Sequence, residues 1–217
     1  MNLTEADVLR IKRAAAYVET HDTDQVLAEL FPDLTETERT DISSHLAFDH
    51  TAVLVFPDTL EGLREELDRL GFEPGAVNPS VVVRGRLARR YGSTVAESPV
   101  AIVHLGVAGR SVEIFALPVP PDSPLEAVAA DERESEHEAH HAFAATEAPV
   151  RFEERTGAVP DGGGYNAHER VTVRYFRTRS NARFELRLSG DAARGAGNCA
   201  TSHTPPAPGR AQNPYGA

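Results

Sequence analysis

Phe48-Asp49-His50-Thr51-Ala52-Val53-Leu54-Val55 and Ser111-Val112-Glu113-Ile114-Phe115 form one pair of apolar, alternating stretches. His140-His141-Ala142-Phe143-Ala144 and Arg183-Phe184-Glu185-Leu186-Arg187 form a second pair of the same kind. Each pair carries a histidine early and a glutamate late, which points to a duplicated β-rich module. Two His and two Glu at matching places suggest one metal site shared between the two halves.

Working outward, Ala47 to Phe56 reads as a strand, because β-branched and apolar residues alternate with polar ones. Asp58 to Leu70 follows as an amphipathic helix with Leu60, Leu63, Leu67 and Leu70 on one face. Gly71 suits the left-handed position that closes a helix. Ser80 to Leu87, Val100 to Val107 and Arg110 to Leu117 read as three strands, the last two joined by an Ala108-Gly109 hairpin turn. The order is β-α-β-β-β. The second module repeats it with strands at Glu138 to Thr146, Val171 to Phe176 and Arg183 to Leu188, and a short segment at Glu153 to Val159. Sixty-three residues separate His50 from Glu113, and 44 separate His141 from Glu185. The shortfall lies where the helix and second strand of that module belong. Gly162-Gly163-Gly164 reads as a flexible loop.

The fold class expected is therefore α+β. Tandem βαβββ modules form a curled mixed sheet around a metal site, behind a helical N-terminal extension. Residues 1–46 are the extension, with Val8, Ile11 and Ala15 at helical spacing behind a Thr4 cap. Residues 47–118 are the first module, 119–136 a linker, 137–190 the shortened second module, and 191–217 a disordered tail rich in Gly and Pro.

The 217 residues are 41% hydrophobic and 25% charged, which is ordinary for a globular protein. A net charge of −11 argues against nucleic acid as a partner, because phosphate binding needs a basic footprint. No apolar run approaches the roughly 20 residues that cross a membrane. The acidic, polar N-terminus does not resemble a secretory signal, and the single cysteine, Cys199, allows no internal disulfide. A cytoplasmic location is the expectation. Lys12 is the only lysine; the arginine bias is read as codon usage rather than as a site.

The pattern Asp49-His50-Thr51-Ala52-Val53, the helix end Leu67-Asp68-Arg69-Leu70-Gly71-Phe72, and Val112-Glu113-Ile114 resemble the vicinal oxygen chelate superfamily, which includes glyoxalases and extradiol dioxygenases. The resemblance spans about residues 47 to 189. It implies metal ligands at His50 and Glu113 in the first module and at His141 and Glu185 in the second. The adjacent His140 leaves a second alignment open.

Two imidazoles and two carboxylates suit a borderline divalent ion, Zn²⁺ first, with Ni²⁺, Co²⁺, Mn²⁺ or Fe²⁺ as alternatives. Strand parity would place Phe115, Phe143, Arg183 and Arg187 on the ligand face, and His104 is read as lining the same pocket. These five are the expected substrate contacts, and His137 and His140 are read as neighbours outside the ligand set.

The resemblance implies an isomerase or epimerase that removes a proton beside a carbonyl to form an enediolate. Glu113 or Glu185 would be the base. Among such enzymes, a C7-cyclitol (2-epi-5-epi-valiolone) epimerase fits the tandem size. The alternatives are an Fe(II) dioxygenase, disfavoured because Val171 to Phe176 holds no histidine, and a metal-free drug-binding protein of the same fold. A small-molecule substrate and a homodimer are expected.

Overall fold

The computed structural model describes residues 2–145, 152–166 and 170–189. The tail at 191–217 lies outside the described residues. Three helices come first: α1 (Glu5–Thr20), α2 (Thr23–Leu30) and α3 (Glu36–Ser43). The Thr4 hydroxyl caps α1 by accepting from the Asp7 amide, and Asp22 and Thr35 open α2 and α3 with capping boxes completed by Gln25 and Glu38. Along α1 the buried apolar stripe is Ile11, Ala14 and Val18, so Ala15 sits one step off the core.

The rest of the chain runs β1 (Leu46–Val55), α4 (Leu60–Arg69), β2 (Asn78–Pro79), α5 (Val81–Tyr91), α6 (Ser93–Ala96), β3 (Ala101–Val107) and β4 (Arg110–Ala116). It continues as α7 (Glu126–Ser135), β5 (His140–Ala145), α8 (Phe152–Thr156), β6 (Val159–Asn166), β7 (Val171–Arg177) and β8 (Arg183–Ser189). All eight strands join one curled mixed sheet in the order β2-β3-β4-β1-β5-β8-β7-β6. The two halves share one wiring. β1 is parallel to β4 and β5 to β8, each final hairpin is antiparallel, and β1 meets β5 antiparallel at the centre. The fold is thus the α+β class expected. No helix among the described residues is long and apolar enough to cross a membrane.

Three segments differ from the expectation. Ser80 to Leu87 is no strand: β2 is two residues long, and α5 follows it. The run Val81-Val82-Val83 imitates a strand, but burial repeats at Val83 and Leu87, four apart, while Val81 and Val82 are exposed. Glu153 to Val159 is mostly helix α8, whose Phe152 packs on Phe31, Phe176 and Phe184. Gly162-Gly163-Gly164 belongs to strand β6 and pairs with β7. Gly163 has φ 151°, and a Cβ there would lie 2.3 Å from the Val173 carbonyl oxygen, so the glycine admits close strand approach. The Ala108-Gly109 turn has positive φ at both residues, 49° and 81°, as the favoured two-residue hairpin turn requires.

The helices α1–α4 and α8 cover one face of the sheet. Their apolar residues share a core with Phe48, Val55, Val103, Ile114, Phe143 and Leu186. The opposite, concave face holds a second core, in which Val83 and Leu87 of α5 and Val128 of α7 meet Ala52, Leu54 and Phe115. The two faces exchange parity within β1. The register with β5 shifts between Phe48 and His50, leaving Asp49 without a partner. Phe48 therefore faces the helices, whereas His50, Ala52 and Leu54 face the concave side.

Phe143, expected in the pocket, is fully buried in the helix-covered core. Replacing it with alanine should cost about 3–5 kcal/mol of stability in urea unfolding and leave metal content unchanged. Lost metal with unaltered stability would return Phe143 to the pocket.

Candidate metal centre

The central strands place four polar side chains on the concave face. In β1, His50 is followed two residues on by Ala52, which pairs with Glu113 of β4. In β5, His140 is followed by Ala142, which pairs with Glu185 of β8. The two halves are thus equivalent residue for residue, with His140 as the counterpart of His50. His50, Glu113 and His140 are buried and bring ligand atoms within 4.8 Å of one another. His50 Nε2 lies 3.6 Å from Glu113 Oε2, and His140 Nε2 lies 4.0 Å from the same oxygen and 3.3 Å from Glu185 Oε2.

Each imidazole is held by its other nitrogen. His140 Nδ1 donates to the Glu138 backbone carbonyl at 2.9 Å, and His50 Nδ1 donates to the Asp49 carboxylate at 2.9 Å. Both acceptors lack a proton to give, so Nδ1 carries the hydrogen and Nε2 is the atom turned to the cluster. Both Nε2 atoms are buried without a hydrogen-bond partner among the described residues. Burying a polar nitrogen without a hydrogen bond is costly, and two of them converging on carboxylates fit a cation that neither side chain reveals alone. The donor set fits a borderline divalent ion.

Opposed charges are concentrated at this cluster. Burial works against protonation of His50, but Glu113, Asp49 and Glu185 outweigh it and raise its pKa to about 9. Asp49 is half-buried, which by itself would raise its pKa, yet its bonds to His50 and Arg187 hold it down at about 2. Burial would raise Glu185, but His140, His50 and the Tyr175 hydroxyl keep it below the ordinary carboxylate range. Tyr175, which donates to Glu185, is itself pushed up, first by burial and then by that carboxylate.

The remaining expected site residues divide. His141 points to the helix-covered face, where Nδ1 is 2.9 Å from Thr51 Oγ1 and the ring stacks on Tyr17 at 4.4 Å. Burial, then the neighbouring His140, lowers its pKa to about 4, so it is neutral there. The imidazole that the structure brings to the cluster is that of His140, the second alignment left open by the sequence, and not that of His141. Phe115 stays on the ligand face, with its ring 6.0 Å from that of His140. His104, paired with Glu113 across β3 and β4, brings Nε2 to 3.8 Å from Glu113 Oε1. Arg183 and Arg187 share the face of Glu185 but are engaged: Arg183 with Glu138 and Asp161, Arg187 with Asp49.

Asp49, Glu138 and Tyr175 contact the cluster and Arg86 packs on Tyr175, and no sequence motif marks these four. The His-x-Ala repeat at 50–52 and 140–142 was the available signal for His140. A cavity of about 620 Å³ lies elsewhere, with walls including Arg13, Tyr17, Thr51 and His141. It borders His140 but none of the other three cluster residues.

No protein-family model and no curated protein sequence matches the chain. Among solved structures, it is similar to a hypothetical protein from Bacillus halodurans C-125, with 12% identity over 67% of this chain and 96% of that one, at a TM-score of 0.43. It is also similar to a methylmalonyl-CoA epimerase from Mycobacterium tuberculosis, with 12% identity over 69% and 91% and a TM-score of 0.42. A halotolerant catechol dioxygenase gives 13% identity over 66% and 40% and a TM-score of 0.37. These likenesses are distant, and the chemistry of the centre rests on its own residues.

His140→Ala should abolish stoichiometric metal in purified protein, measured by plasma emission, while His141→Ala should retain it. The opposite pattern would restore His141 as the ligand. A pH effect follows from His50. Its folded pKa of about 9 exceeds the ordinary 6.5, so its proton stabilises the metal-free fold below pH 6.5 and that contribution is lost as pH rises through 9. Metal must displace the same proton, so affinity rises across this window. The Tm gap between metal-loaded and metal-stripped protein should widen from pH 6.5 to 9; a constant gap would count against His50 as a ligand.

Proposed function

We propose that this protein is a metal-dependent isomerase or epimerase of the vicinal oxygen chelate kind. It removes a proton from a carbon beside the carbonyl of a small polyhydroxylated ketone. The observation that carries this is the pair of buried imidazole nitrogens that make no hydrogen bond and face two carboxylates from equivalent strands at 3.3 to 4.0 Å. A divalent ion held by His50, His140, Glu113 and Glu185, Zn²⁺ being the first candidate, would supply Lewis acidity to adjacent substrate oxygens.

Glu113 is the base in this scheme. Its nearest cluster partners stand 3.6 to 4.0 Å away, whereas Glu185 accepts the Tyr175 hydroxyl and lies 3.3 Å from His140. Glu113 is therefore the freer carboxylate. His104 is 33% exposed and 3.8 Å from Glu113, so it links that carboxylate to water and exchanges its proton. Glu185 belongs to β8, on the far side of the β1–β5 seam from β4, and suits return of a proton to the opposite face. A C7-cyclitol ketone such as 2-epi-5-epi-valiolone is the named candidate substrate, and a homodimer the expected assembly.

A second reading, Fe(II) dioxygenation, draws support from the two-His, one-carboxylate group His50, His140 and Glu113. Oxygen uptake with a catechol or a 2-oxo acid would favour it. A metal-free binding role leaves the two orphaned nitrogens without a purpose.

The test is to incubate metal-loaded protein with α-hydroxy ketones, dihydroxyacetone and the cyclitol ketone among them, in D₂O. Deuterium should enter the α-carbon, and Glu113→Gln should slow exchange by about 10²–10⁴-fold. No incorporation with any ketone by metal-replete protein would sink the proposal.

A further inference from the structure

Helix α5 stands where the first half was expected to have a full strand, and it sends Arg86 to the concave face. The guanidinium carbon lies 4.4 Å over the Tyr175 ring. The Tyr175 hydroxyl donates to Glu185, and its ring meets that of His140 edge-on at 5.5 Å. Arg86 and the cluster residue His140 thus contact one and the same aromatic ring. It is 7% exposed, and neither its Nε nor its Nη2 makes a hydrogen bond among the described residues. Its Nε lies 2.8 Å from Glu138 Oε2. That carboxylate is also in contact with Arg90 and Arg183, so it is shared among three cations and leaves Arg86 incompletely paired.

A buried guanidinium nitrogen with no acceptor is as costly as the orphaned imidazoles, and it asks for an anionic oxygen. We infer that Arg86 binds a carboxylate of the substrate beside the metal. This rests on the proton-transfer function proposed above and narrows its substrate to ketones or hydroxy compounds bearing an acid group. A carboxylate fits better than a phosphate, because Nε already faces Glu138 and Nη2 is the donor left over; a phosphate dianion would call for more. Arg86 is then a specificity residue, outside the proton transfer itself.

The experiment measures ligand binding by calorimetry on metal-loaded protein with two probes. Oxalate chelates through two oxygens and leaves two outward, whereas acetohydroxamate chelates through both of its oxygens and leaves outward a methyl group and an N–H, neither of which can accept from a guanidinium. Arg86→Gln should weaken oxalate by about ten- to hundredfold and change acetohydroxamate by less than about twofold, with metal content intact. Arg86→Lys, which keeps the charge against Glu138 but lacks the planar fork, should recover part of the oxalate affinity. Equal losses for both probes, or none, would assign Arg86 to the scaffold and overturn the proposal, as would loss of fold in both variants. Wild-type protein that takes up no metal would overturn the metal function as well, and metal analysis separates that result from the others.

Discussion

Among the described residues of the two central strands, Asp49 alone has no strand partner, and the direction of His50 depends on it. Strict alternation through β1 would send His50 to the same side as Leu46 and Phe48, into an apolar core with no room for its charge. The extra residue resets the alternation, so the imidazole emerges on the concave face with Ala52 and Leu54. The side chain of Asp49 then takes the Nδ1 proton of the histidine it has displaced and receives Arg187 from β8. Backbone irregularity and hydrogen bond are properties of a single residue, and together they fix both the direction and the tautomer of the ligand.

The seam between β1 and β5 explains why four donors reach one place. Antiparallel pairing sets Ala52 against His140 and His50 against Ala142, so each small alanine faces the other half's imidazole. Each flanking parallel strand then supplies its glutamate opposite the alanine. Small residues at 52 and 142 leave space between the four polar groups. The outer parts of the halves have diverged: α4 and α5 fill the first, while the five-residue α8 and the glycine-bearing β6 serve the second. The duplicated part is thus the part that meets at the seam.

Much of this is legible in the sequence because period-two alternation and turn chemistry are local. The strands β1, β3, β4, β5, β7 and β8, the Ala108-Gly109 turn, the α4 leucine face and the placing of His50, Glu113 and Glu185 on strands come from such signals. What escapes is decided at longer range. Val81-Val82-Val83 favours a strand by propensity, but packing of Val83 and Leu87 against Leu54 and Phe115 makes it a helix. The choice between His140 and His141 turns on register with β1. Phe143 follows the parity of His141, so one register error moved both residues to the wrong face. The roles of Glu138 and Arg86 arise only when helix α5 folds over the sheet.

Glu138 shows how the buried charges serve the centre. Its side chain is fully buried against Arg86, Arg90 and Arg183, which come from α5 and β8, while its backbone carbonyl holds His140 Nδ1. Desolvating such a cluster consumes most of its Coulombic gain, so net stability is a poor explanation for it. Position is a better one. Three cations fix the carboxylate, the carboxylate fixes the turn of chain before β5, and that turn sets the carbonyl that orients a metal-binding imidazole. Arginines that look like codon bias in the sequence are, at 86, 90 and 183, the clamps on one end of the ligand strand.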